Sequence, residues 1–209
     1  MLKTLRMWFT YGGLLVAFLG TLFVVAYLQE FAGDDIPEIA REAGVSLPLK
    51  DPRLEVILQN MTLALYEGDV LLKRYSVGYG HKMPGRANDR EGSTPLGEYM
   101  IVDKQERKDL LSRGTRFLRF DFPGLEDADK ALDAGEITRE DYEAINVAHR
   151  LDEFPPSDTA LLGPLGIQGN YFFFQDRRFT DGSLALSNGD INELYEYVPI
   201  GTPVVIKMH

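Results

Sequence analysis

Two glycine-framed segments carry the polar residues best placed to do chemistry. The first reads Gly166-Ile167-Gln168-Gly169-Asn170, the second Phe179-Thr180-Asp181-Gly182-Ser183-Leu184-Ala185-Leu186-Ser187-Asn188. Fourteen residues separate Gln168 from Ser183. A serine hydroxyl attacks a carbonyl only when a base takes its proton. Gln168 cannot be that base, because a side-chain amide has no group that accepts a proton near neutrality. The chain has three histidines, His81, His149 and His209. His81 falls in a polar loop and His209 is the last residue. His149, on an expected helix, is the least implausible substitute base. Asp181, two residues before Ser183, is a candidate carboxylate. With no cysteine, thiol catalysis, disulfides and thiolate metal sites are excluded together.

These segments do not stand alone. Upstream is Thr94-Pro95-Leu96-Gly97-Glu98-Tyr99, and downstream a short helix from Asp190 to Val198 leads into Pro199-Ile200-Gly201-Thr202-Pro203-Val204-Val205-Ile206. The ordered set resembles the L,D-transpeptidases, the peptidoglycan cross-linking enzymes with a YkuD-type domain. It is most similar to a branch whose catalytic segment reads Trp-Thr-x-Gly-Cys-Ile-Ala-Leu-Ser-Asn. The resemblance covers about Arg53 to Ile206. It implies a mostly β domain with a helical insertion over the cleft. It places Ser183 at the position of the nucleophilic cysteine and Gln168 at that of the catalytic histidine. It further implies that Gly169, Asn170, Thr180, Asp181, Gly182 and Ser183 line a cleft for stem peptides. In the family the thiolate attacks the carbonyl before a terminal D-alanine, and backbone N–H groups hold the oxyanion. No cofactor and no metal are implied.

Net charge and hydropathy set the surroundings. The formal charge is −10 with a pI of about 4.8, and Lys and Arg do not cluster, so nucleic acid is not an expected partner. Lys3 and Arg6 precede an uncharged stretch from Trp8 to Leu28, and Glu30, Asp34, Asp35 and Glu38 follow it. Roughly 20 apolar residues cross a bilayer as a helix. The charge asymmetry predicts a cytoplasmic N-terminus and an exported C-terminal domain. The expectation is a single-pass protein of the inner (cytoplasmic) membrane with a periplasmic domain. Residues 1–28 form the signal anchor, with a cleaved signal peptide as the alternative, 29–52 a membrane-proximal linker, and 53–209 the domain.

Local patterns predict the elements that must hold the two segments. The linker carries one short helix capped by Asp34 or Asp35, with Pro37 in its first turn and Gly44 at its end. Leu54–Leu58, Met61–Tyr66 and Val70–Val77 read as strands, the last two joined by the turn Glu67-Gly68-Asp69. Gly78 to Gly92 is a loop, Tyr99–Val102 a strand and Phe117–Phe122 another. An insertion at about 104–156 carries helical signals: Glu126–Ala134 ending at Gly135, and a capping box at Thr138-Arg139-Glu140-Asp141 followed by Tyr142, Ile145 and His149 on one face. Tyr171–Phe174 reads as a covered strand, and Glu126, Asp127 and Asp129 as a solvated helix face.

The expected function is that of a non-catalytic relative in the cell envelope, binding stem peptides or a cell-wall enzyme. One alternative is acyl transfer through Ser183; another is a scaffolding domain with no ligand.

Overall fold

The computed structural model describes residues 2–30, 35–84, 92–106, 116–151, 153–161, 163–169 and 178–209. Two units result, 1–34 and 35–209. The first contains helix α1, Leu2–Glu30, whose described side chains, 11–25, are all exposed. Among the described residues no helix is long and apolar enough to cross a membrane. The span expected over Trp8–Leu28 runs past the described side chains at both ends.

The second unit opens with α2, Ile36–Glu42, which ends at Ala43 and Gly44, the latter at φ +70°. Its cap differs from the expected one. Asp35 stands at the N-cap without a side-chain bond, and Asp34 lies outside the described residues. Instead the Ile36 N–H donates to Glu193 Oε1 at 2.9 Å. Glu193 also accepts from Lys73 Nζ at 2.8 Å and Tyr75 Oη at 2.9 Å. One carboxylate of the C-terminal helix thus ties the linker helix to Lys73 and Tyr75.

Strands β1 (Pro52–Ile57), β2 (Thr62–Glu67) and β3 (Val70–Ser76) form an antiparallel ladder. Gly68, at φ +53°, makes the β2–β3 turn. Alternation in β1 buries Leu54 and Val56 and leaves Arg53 and Glu55 outward. After the short β4 (Tyr79–Gly80) come β5 (Gly97–Glu106), β6 (Arg116–Phe120), helices α3 (Leu125–Asp133) and α4 (Arg139–Arg150), then β7 (Gly166–Gln168), β8 (Arg178–Thr180), β9 (Leu184–Ala185), α5 (Asn188–Tyr197) and β10 (Pro203–Lys207). Among the described residues eight strands make one sheet in the order β3-β2-β1-β10-β5-β6-β7-β9, while β4 and β8 pair separately. The last strand inserts between β1, to which it is parallel, and β5, to which it is antiparallel. Leu54, Val56, Ile101, Leu118, Ile167, Leu184, Ile191 and Val204 meet in the main core.

Of the 104–156 segment, the beginning and the stretch 116–120 lie in the sheet, and α3 and α4 follow. These helices have their own small core of Ala128, Ala131, Ile137, Ile145 and Leu161. The expected capping box is present: Asp141 N–H donates to Thr138 Oγ1 at 3.1 Å, and Thr138 N–H to Asp141 Oδ2 at 3.0 Å. The Thr138 hydroxyl, which donates to Asp141 Oδ2 at 2.7 Å, and then the Thr138 backbone N–H hold the Asp141 carboxyl below its ordinary pKa. The acidic face of α3 is not wholly solvated, contrary to the expectation. Asp127 accepts from the Gly124 N–H at 3.0 Å and from Tyr99 Oη at 3.3 Å. Burial and then the Asp127 charge push the Tyr99 phenol well above its ordinary value.

Candidate functional site

Strand β7 brings the two glycine-framed segments together. It pairs antiparallel with β6 (Phe117↔Gln168) and parallel with β9 (Ile167↔Leu184, Gln168↔Ala185). Ile167 and Leu184 point into the main core. Their neighbours therefore face the other side, because successive strand residues alternate. Gln168 and Ser183 share that face on adjacent strands. From strand spacing and rise, their Cα atoms are about 8 Å apart. Both are half-buried. Gln168 C=O accepts from the Leu186 N–H at 2.9 Å, which locks the two strand ends.

The turn that presents Ser183 is overdetermined. Gly182 has φ +114°, and a Cβ there would sit 2.9 Å from Ser93 O, so a side chain is excluded twice. Thr180 Oγ1 donates to Ser183 O and, more weakly, accepts from the Gly182 N–H at 3.4 Å. Thr94, fully buried, donates from Oγ1 to Gly182 O at 2.9 Å and accepts the Gly80 N–H at 2.9 Å. The Thr94-Pro95-Leu96-Gly97 segment thus clamps the Ser183 turn to the β4 loop. On the other side of β9, Gly78 and Ala185 exchange two 2.8 Å backbone bonds.

Of the expected cleft residues, Thr180, Gly182 and Ser183 lie at this turn, with Asp181 exposed at its tip, and Gly169 is buried directly after Gln168. Asn170 and the run Tyr171–Phe174 lie outside the described residues. Among the described residues no cluster of His, Asp and Glu could hold a metal.

The structure separates the histidines from one another. His149, the least implausible substitute base, engages Pro123 O through Nε2 at 2.8 Å. It lines a cavity of about 270 Å³ with Tyr99, Asp121, Glu126, Asp127 and Lys130, and neither Gln168 nor Ser183 borders that cavity. The packing of α4 on α3 and the Pro123 carbonyl draw it away from the turn. His81 is nearer in connectivity. Its backbone N–H and its Nδ1 both meet Thr180 O, at 3.1 and 3.0 Å. That bond assigns the proton to Nδ1 and leaves Nε2 with the lone pair, beside Gly92. No sequence signal in the polar loop marks His81 for this position, because the contact spans 99 residues.

Residues 51–206 match the family model of the L,D-transpeptidase catalytic domain, YkuD. No curated protein matches the chain. Among solved structures, Bd1075 of Bdellovibrio bacteriovorus is similar at a TM-score of 0.52 and 15% identity, covering 78% of this chain and 50% of that one. The L,D-transpeptidase of Xylanimonas cellulosilytica is similar at 0.43 and 14%, covering 80% and 67%. That of Stackebrandtia nassauensis is similar at 0.45 and 15%, covering 84% and 67%. The matched chain spans half the length of the Bdellovibrio protein, and at such identities the likeness concerns the fold.

Proposed function

The chain belongs to the L,D-transpeptidase catalytic-domain family, and from that premise we propose that it binds peptidoglycan stem peptides in the cell envelope without turning them over. The observation that carries this reading is the absence of cysteine from the whole chain, together with Gln168 on the sheet face shared with Ser183. The family chemistry needs a thiolate and a base acting as a unit. Removing such a pair costs on the order of a million-fold in kcat. The described part of the frame around these two positions supports a retained surface. The Thr94 clamp, the Gly182 turn and the parallel β7–β9 pair hold Ser183 and Gln168 on one surface. A frame of that kind suits recognition of an extended peptide.

The charge pattern around Trp8–Leu28 supports an uncleaved N-terminal anchor in the cytoplasmic membrane, with the domain on the periplasmic side. A cell-wall enzyme is the alternative occupant of the same surface.

A second reading, slow acyl transfer through Ser183, is favoured by one observation. Thr180, three residues before Ser183, accepts from Nδ1 of His81, which leaves Nε2 with the lone pair.

The test is incubation of the full chain with disaccharide-tetrapeptides, read by titration calorimetry and product analysis. The expected result is binding in the micromolar to millimolar range with no release of D-alanine. Release that Ser183→Ala abolishes would overturn the non-catalytic reading. Neither binding nor release would leave a scaffolding role or an enzyme partner.

A further inference from the structure

The negative charge of the chain is concentrated in one segment. Between Asp121 and Asp158 stand twelve Asp and Glu against three Lys and Arg, a formal −9 out of the −10 of the whole chain. This segment carries α3 and α4, which share their own small core. Ala128 and Ala131 of α3 and Ile145 and Ala148 of α4 are the buried residues of the two helices. On the outer side of α3, Glu126, Asp129 and Asp133 are exposed at helical spacing. Glu126 is paired with Lys130 at 2.6 Å. Among the described residues, Asp129, Asp133 and Glu140 make no ion pair.

The outer stripe of α4 has a different character. Ala144, Val147 and Leu151 recur at intervals of three and four residues, on a side turned away from Ile145. All three are exposed, Val147 by 41% and Leu151 by 61%. Glu140 continues the stripe one turn earlier, and Glu143 borders it; both are exposed. The two arginines of the helix are engaged within it. Arg139 meets Glu143 at 3.6 Å and the Tyr142 ring, and Arg150 donates to the Asn146 carbonyl at 3.4 Å. Apolar anchors at such spacing, rimmed by charge, are the pattern by which one amphipathic helix receives another.

The charge selects the occupant. A second copy would bring another −9 against the first, and an anionic lipid surface or a nucleic acid is repelled in the same way. A cationic helix is attracted. We propose that the outer stripe of α4 is a docking surface for a basic amphipathic helix of a partner protein. The apolar side of that helix lies on Ala144, Val147 and Leu151, and its Lys and Arg side chains reach Glu140 and Glu143. The apolar area is small, so the contact is weak and reversible, with Kd on the order of 10–100 µM. The stripe shares no residue with the Gln168–Ser183 surface, and the proposal does not depend on what that surface binds.

The absence of cysteine makes a site-specific test simple. Ala144→Cys in the full chain takes a single environment-sensitive fluorophore, and Val70→Cys, exposed on β3, carries the same label as a control. The probe is a synthetic Leu/Lys amphipathic helix about four turns long. Two comparators replace its Lys by Glu or its Leu by Ser. The Leu/Lys peptide should give a saturable blue shift at Ala144→Cys and none at Val70→Cys. Each comparator should bind at least roughly 10-fold more weakly, since one lacks the charge and the other the apolar anchors. Raising salt from about 0.05 to about 0.5 M should weaken binding several-fold. Val147→Ser with Leu151→Ser should also cost roughly 10-fold or more; both positions are exposed, so the circular dichroism spectrum should stay that of the parent. No saturable shift, an equal response at Val70→Cys, or undiminished binding of the Glu peptide or by the double serine variant overturns the proposal. A shift that grows with protein concentration in the absence of peptide also overturns it, and assigns the stripe to a second copy.

Discussion

Replacing Thr94 by valine should damage the site and the fold through one pair of bonds. Valine has nearly the shape of threonine, so the packing of this fully buried position is kept. The hydroxyl is lost, and with it the donor to Gly182 O and the acceptor for the Gly80 N–H, both at 2.9 Å. Each buried backbone group left without a partner costs about 1–3 kcal/mol. The carbonyl of Gly182 loses less than the N–H of Gly80, since a C=O tolerates under-satisfaction better. A combined cost of about 3 kcal/mol follows. For a domain of this size each kcal/mol lowers Tm by about 2–4 °C, so the midpoint should fall by about 6–12 °C. Thermal unfolding followed by circular dichroism checks the number. Thr94→Ser, which keeps the hydroxyl, should lose much less. Ligand affinity should also fall in Thr94→Val at temperatures where the fold persists, because Gly182 positions Ser183. A Thr94→Val midpoint within about 2 °C of wild type, or a Thr94→Ser loss as large as that of Thr94→Val, would refute the reasoning.

Three further outcomes follow from the same structure. Ser183→Cys combined with Gln168→His should form a covalent adduct with a carbapenem or a tetrapeptide donor, seen as a mass shift, while each single change forms far less; a folded double variant without adduct would mean that the surface no longer fits a donor. A reporter fused after His209 should behave as exported, and cytoplasmic reporter activity would overturn the proposed topology. Stability should decline in alkali: Tyr75 and Tyr99 are held well above the ordinary phenol value, first by burial and then by Glu193 and Asp127. Their contribution is complete below about pH 10 and is lost as the unfolded phenols ionise above it. Tyr99→Phe should flatten the alkaline arm of a denaturation-midpoint profile, and an unchanged arm would count against the burial argument.

What could be read from residue order was local in origin. The ladder of β1, β2 and β3 follows from alternation and from Gly68 in its turn. The capping box of α4 needs only Thr138 and Asp141 three residues apart. The motif around Ser183 and the Thr94-Pro95-Leu96-Gly97 segment were recognisable as words in order. Each of these depends on neighbours within a few residues, where side-chain spacing carries the information. Other features arise from contacts between distant parts of the chain, and no periodicity encodes them. The cap of α2 comes from Glu193, 157 residues away, so Asp35, the local candidate, is left unused. His149 lies on the predicted helix, yet its ring is committed to the Pro123 carbonyl rather than to the Ser183 turn. Thr94 acquires its meaning only when Gly80 and Gly182 are folded against it. Gln168 and Ser183 come to share a face only through the register of β7 and β9, because strand pairing sets which side chains lie together, and a slip of one residue would turn one of them to the opposite face.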